Sequence, residues 1–135
     1  MWANPGAGAS MTELVPNFDV VSALAEGNGE GKFAIVLLIR HAVDEEYTAW
    51  VDAVLRRLSE VDGRVVWVGN NGEPIVGDPD RRWDSIAVVE FPSRGAFLEL
   101  VGASGWNRVE GLRMAGMHEN EIYGCTPVVD AVDRD

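Results

Sequence analysis

The chain has 135 residues, 47% of them hydrophobic and 24% charged, a composition that excludes disorder and a disulfide scaffold and gives one domain with a core able to support itself. Eleven basic against 22 acidic side chains leave a formal net charge of −11, a surface that repels phosphate and argues against nucleic acid and membranes as partners. The single cysteine, Cys125, excludes an internal disulfide and suits a cytoplasmic location.

Residues 1–14 carry no basic stretch and no apolar run of the kind a secretion signal needs, and read as a flexible tail. The folded domain is expected over 15–129, with 130–135 as a frayed, charged end. Asn17 to Ala25 places Phe18, Val21, Leu24 and Ala25 on one face and predicts a short helix. Glu26 to Gly31 is a glycine-rich loop. It lacks the spacing and the Ser or Thr of a phosphate-binding loop, and it precedes a strand.

Lys32 to Arg40 is almost wholly apolar and predicts a strand buried on both faces. Its longest apolar run, Phe33 to Ile39, falls far short of the ~20 residues of a membrane span. Asp44 to Val61 carries a helical stripe through Tyr47, Trp50, Val51, Val54, Leu55, Leu58 and Val61. Asp44 is its expected N-cap and Gly63 its stop. Arg64 to Gly69 is a second strand, Asn70-Asn71-Gly72 a turn, Ile75-Val76 a prolongation of that strand, and Gly77-Asp78-Pro79-Asp80 a further turn. Trp83 to Phe91 is a third strand. Ser93 caps a short helix bearing Ala96, Phe97, Leu98 and Val101, which Gly102 to Gly105 breaks. Trp106 to Met114 is a last helical piece, and Glu121 to Val129 a last strand in which Cys125 reads as buried packing.

The order is β-α-β-β-α-β after a leading helix, the ferredoxin-like α+β arrangement with an antiparallel sheet. Helices cover one face only. The first strand is apolar on both, through Phe33-Ile35-Leu37-Ile39 and Ala34-Val36-Leu38. A second copy packed sheet to sheet, a homodimer, is the simplest cover for the other.

Trp83-Asp84-x-x-Ala87-Val88-Val89-Glu90-Phe91-Pro92-Ser93-Arg94-x-Ala96-Phe97-Leu98 resembles the third strand and following helix of the dimeric α+β barrel superfamily. Within it the chain is most similar to the domain-of-unknown-function family numbered thirteen-thirty. Ile35 to Arg40, Gly63 to Gly69, Gly77-Asp78-Pro79 and Thr126-Pro127 fit that family's first strand, second strand, turn and ending, so that the likeness runs from Pro16 to Pro127. The superfamily includes cofactor-free oxygenases, polyketide cyclases and isomerases, with a small-molecule cavity between sheet and helices. The resemblance therefore implies a dimeric barrel with such a cavity. Arg40 and Arg113 match the family pattern, whereas Leu37 stands where an Asn is usual and Leu112 where a His is usual.

The candidate chemistry is acid–base. His41 follows the first strand on the face of Leu37 and Ile39 and suits a general acid or base. His118 is a second candidate near the last strand. Arg40 and Arg113 suit the clamping of a carboxylate or enolate oxygen. Glu90, in a buried strand, suits a base or a partner for an arginine, and Tyr123 a phenol proton donor. Trp50, Trp106, Leu37 and Leu112 are candidate pocket walls. The two histidines lack helical ligand spacing, so no metal and no cofactor are expected. The resulting expectation is a small-molecule enzyme for cyclisation, isomerisation or a related rearrangement of a carbonyl-bearing metabolite. Cofactor-free monooxygenation and non-catalytic metabolite binding are the alternatives.

Overall fold

A computed structural model describes residues 14–26 and 31–128. The expected tail up to residue 13, most of the glycine-rich loop and the expected frayed end lie outside the described residues. Leu14, assigned to the tail, is 4% exposed and belongs to the core.

Four antiparallel strands, β1 (Phe33–His41), β2 (Arg64–Gly72), β3 (Trp83–Phe91) and β4 (Met117–Cys125), lie in the order β2-β3-β1-β4. With α1 (Phe18–Glu26), α2 (Asp44–Leu58), α3 (Arg94–Val101) and α4 (Trp106–Gly116), this is the ferredoxin-like α+β fold, its second helix split in two by Gly102 to Gly105. No helix among the described residues is long and apolar enough to cross a membrane.

Strand alternation sorts the side chains. Phe33, Leu37 and Ile39 of β1, Val89 and Phe91 of β3 and Met117 of β4 are buried with Trp50, Ala53, Leu58, Leu100 and Val109 of the helical layer. Phe97, half-buried, packs at the Phe33–Phe91 end of the sheet, its ring 5.3 Å from Phe33 and 5.4 Å, edge-on, from Phe91. The alternate β1 residues Ala34, Val36 and Leu38 point to the other face and are half-buried in the single chain.

Several local expectations change. The cap position of α2 is Val43, extended at φ −121°, and no side chain caps it; Asp44 is instead the first helical residue, where its charge meets the helix dipole. The helix ends at Leu58 in a 3₁₀ turn, Ser59–Val61, and Asp62 takes the left-handed conformation at φ 59°. Asn70 to Gly72 is no turn: β2 continues through it, with Asn71 at φ 58°. Ile75 and Val76 do not prolong the strand but sit in the β2–β3 loop, each 92% exposed. That loop closes through Asp78, whose carboxylate accepts from Asp80 N–H at 2.9 Å and whose carbonyl accepts from Arg81 N–H at 3.0 Å. Ser93 caps α3 as expected, accepting from Ala96 N–H at 3.0 Å. β4 starts at Met117, earlier than expected, and ends at Cys125, which is exposed and not buried packing.

Gly116 holds the helical layer to itself. A Cβ there would lie 2.6 Å from Tyr47 N and 2.8 Å from Tyr47 Cα, so α4 and the start of α2 touch backbone to backbone. Gly116 C=O also accepts from Ala42 N–H at 2.9 Å. Gly116→Val is expected to destabilise the fold by about 1–3 kcal/mol, read as a lower urea midpoint; an unchanged midpoint means the two helices separate freely.

Candidate functional site

The register of the sheet builds one polar row on the face that meets the helices. Ile39 pairs with Ser85 on β3 and with Asn120 on β4, and Ser85 pairs in turn with Asn70 on β2. The row therefore reads Asn70, Ser85, Ile39, Asn120 across all four strands. Strands lie about 4.8 Å apart, so Ser85 and Asn120 stand roughly 10 Å from each other with Ile39 between them. Ser85 and Asn120 are buried, at 4% and 8% exposure.

His41 joins the row from one side. Its ring lies 3.9 Å, centroid to centroid, from that of Tyr47 in α2, and Nε2 is 3.2 Å from Ser85 Oγ. Its backbone N–H donates to Asp84 Oδ2 at 2.8 Å. Ser85 Oγ donates its one proton to Asn70 Oδ1 at 3.2 Å. The Ser85 hydroxyl thus stands between His41 Nε2 and Asn70 Oδ1, with the donor in the imidazole contact set by the ring tautomer. Sequence reasoning singled out His41 and missed Ser85 and Asn70. The available signal was one polar side chain in the inward phase Ser85-Ala87-Val89-Phe91 of β3.

Arg113 joins from the other side, 5% exposed on α4. Glu110 accepts from its Nε and one terminal nitrogen, both at 2.9 Å, and Asn120 Oδ1 accepts from the other terminal nitrogen at 2.9 Å. The main-chain oxygen of Leu14 takes a further bond. Asn120 Nδ2 donates to Leu38 O at 3.0 Å. A buried guanidinium thus has its charge matched by Glu110 and its donors directed by fixed acceptors.

The other predicted residues are not assembled with these. Arg40, in the outward phase of β1, pairs with Glu119 at 2.6 Å and donates to Arg82 O at 2.6 Å. Its guanidinium and that of Arg81 lie 5.5 and 5.1 Å from the Trp83 ring centre. Glu90 is ion-paired with Arg64 at 2.8 Å and lies 3.7 Å from Lys32. Tyr123 pairs with Val36, so it stands on the face away from His41, and its hydroxyl donates to Glu121 Oε1 at 2.6 Å. His118 is exposed, next to the Met117 that pairs with His41. Trp50 and Leu37 are core residues, while Trp106 and Leu112 pack half-buried against that core.

Phe33, Phe91 and Phe97 pack against one another at the end of the sheet away from His41. Two open depressions of the described residues lie elsewhere. One, of about 430 Å³, sits under the β2–β3 loop against Trp83 and Ile86; the other, of about 370 Å³, lies outside α2 at Asp52, Leu55 and Arg56. Among the described residues no group of three or more metal-ligating side chains converges.

Comparison with known proteins places the fold. No protein-family model and no curated protein matches the chain. It is similar in structure to RPA0582, a protein of unknown function from Rhodopseudomonas palustris, at a TM-score of 0.78 and 22% identity, over 87% of this chain and 98% of that one. It is also similar to a dabb family protein with a ferredoxin-like fold from Mesorhizobium loti, at 0.51 and 12%, over 74% and 100%. A third likeness is to SnoaB, a cofactor-independent oxygenase from Streptomyces nogalater, at 0.50 and 12%, over 77% and 98%. These likenesses establish the ferredoxin-like α+β fold.

The geometry carries two expectations. The Tyr123 hydroxyl is the largest cause holding the Glu121 carboxyl below its ordinary 4.5, with Arg81 adding to it. The same hydrogen bond raises the Tyr123 phenol above 10. The depressed carboxyl therefore favours the folded state above pH 4.5, and that contribution is lost as pH falls through its folded value. Tyr123→Phe is expected to move the Glu121 midpoint up toward 4.5, followed by NMR titration of its carboxyl carbon. Ser85→Ala is expected to shift the tautomer balance of His41, which contacts Ser85 Oγ through Nε2, read from the ring nitrogen shifts; an unaltered balance would remove Ser85 from that role.

Proposed function

We propose that this protein is a homodimeric small-molecule enzyme of the dimeric α+β barrel type, related to the thirteen-thirty family. It performs acid–base chemistry without a cofactor on an apolar, carbonyl-bearing metabolite. The observation that carries this reading is the Asn70–Ser85–His41 chain. It holds the imidazole through Nε2 at the end of β1 and leaves Nδ1 outside that contact. An imidazole so oriented takes a proton from carbon next to a carbonyl and returns it elsewhere, which is the shared step of isomerisation and cyclisation. The Arg113–Asn120 pair lies on the far side of Ile39, one strand further across the sheet. Tyr123, Arg40 and Glu90 have no part in this reading, because they engage ion pairs and hydrogen bonds outside it. Cofactor-free monooxygenation is a variant of this reading, since the structurally similar SnoaB is a cofactor-independent oxygenase.

The dimer is supported by the outer face of the sheet. Val36, Leu38, Ile86 and Val88 form its apolar middle, Trp67 and Tyr123 are more than half exposed, and ion pairs of Arg40 and Arg64 stand at its two ends. Such a face suits an isologous contact with a second copy.

A second reading, a dimer that binds a metabolite without transforming it, draws support from Trp50 and Leu37, expected pocket walls that pack into the core. Exchange of the α-protons of ethyl acetoacetate in D₂O separates the two. Catalysed exchange that falls by roughly a hundredfold or more in His41→Ala, with an unchanged sedimentation coefficient, supports the enzyme; no catalysed exchange across a panel of β-dicarbonyl probes supports the binder. Leu38→Lys is expected to sediment as a monomer at micromolar concentration.

A further inference from the structure

The Arg113 network contains one partner of a different kind from the others. Glu110 and Asn120 belong to α4 and β4, elements tied into the helical layer and the sheet. The remaining partner, the Leu14 carbonyl, comes from 99 residues away. Leu14 is also 4% exposed, its side chain in the core cluster. The helix after it is loosely held. α1 buries no residue, Phe18 and Val20 are 67% and 58% exposed, and Leu24 packs only in part against the core. Within residues 14–26, Leu14 is therefore the one deep anchor, and a segment anchored at one point opens at a free energy well below that of the whole fold.

Leu14 presents to Arg113 what a small ligand would present: a branched apolar group seated in a hole and a carbonyl oxygen on a guanidinium N–H. We propose that Leu14 is a built-in occupant of a ligand site on Arg113, and that the ligand is a compound with a neutral carbonyl oxygen on a small branched apolar group, which displaces the segment to bind. This deepens the functional reading above and rests on it for the assignment of a small-molecule ligand. Glu110 already matches the Arg113 charge with both its oxygens. A second carboxylate there would be left without a counter-charge, whereas a ketone, ester or amide oxygen replaces the Leu14 carbonyl one for one. Asn120 adds selectivity of position, since its amide is held by Leu38 O and keeps Oδ1 on Arg113. The site is occupied by its own chain until a competitor arrives, and the apparent affinity is lowered by the fraction of molecules that are closed.

The test uses the full chain and 4-methyl-2-pentanone as the probe, followed by NMR. Leu14→Ala keeps the backbone carbonyl but empties the hole, and is expected to bind the probe roughly tenfold or more tightly than the unaltered protein, with shifts at the Arg113 Nε–H and Asn120 amide signals. Equal weak binding by both proteins, or shifts confined to other residues, overturns the proposal. Should Leu14→Ala fail to fold, hydrogen exchange on the unaltered protein decides. Amides of residues 18–26 are expected to exchange far faster than those of β1 and β4 and to quicken further with the probe; exchange only together with the strands overturns it. His41→Ala in the same background separates the two readings. Tight probe binding that survives this change while α-proton exchange is lost supports both. Tight binding in a protein that never catalysed exchange retains this site and discards the enzyme.

Discussion

β1 is the strand on which the rest depends, because it is paired along both edges and apolar on both faces from Phe33 to Ile39. Phe33, Leu37 and Ile39 must be covered from one side and Ala34, Val36 and Leu38 from the other. The helical layer satisfies the first demand, with Phe97 wedged between Phe33 and Phe91 and with α4 in backbone contact with α2 at Gly116. The second demand is met only half-way within one chain, since the outer face keeps Trp67 and Tyr123 more than half exposed. Its ends are closed by charge: Arg64 and Lys32 gather on Glu90, and Arg40 and Arg81 on Glu119 and Glu121.

The same strand organises the polar groups. Ile39 separates a histidine–serine–asparagine chain from an arginine–glutamate–asparagine cluster, and both belong to the side of the sheet that the helices cover. Polar side chains buried this deeply are tolerated because each has its partner: Ser85 bridges two residues, Asn120 uses both ends of its amide, and Arg113 matches its charge within its own helix. The outcome is two polar clusters at a separation set by strand spacing, held by strands and not by loops.

Some of this was legible in the residues. The helical stripe from Tyr47 to Leu58, the limits of β3 and the Ser93 cap follow from periodicity and local chemistry. His41 was legible as a candidate because strand alternation puts it on the side of Ile39. The grouping of His41 with Arg40 and Tyr123 was not, because membership of a site depends on which face each strand turns inward, and Arg40 and Tyr123 point the other way. Ser85, Asn70 and Asn120 were invisible as a set: they come from three strands, and their alignment is a matter of register. The ends of β2 and β4 were misplaced for a related reason. Asn71 takes a left-handed conformation inside the strand, and the polar start of β4 carries no apolar alternation to mark it.

By itself, then, the order of apolar and polar residues determined the α+β class, the main helices and strands and the apolar character of a second sheet face, because these depend on local propensity and on the period of burial. Tertiary structure alone decided which polar groups share a level of the sheet, which are absorbed in ion pairs, and that Leu14 closes on Arg113 across 99 residues of chain. Contacts of that span arise from hydrogen-bond register and packing between elements, and neither leaves a signature in any one stretch of sequence.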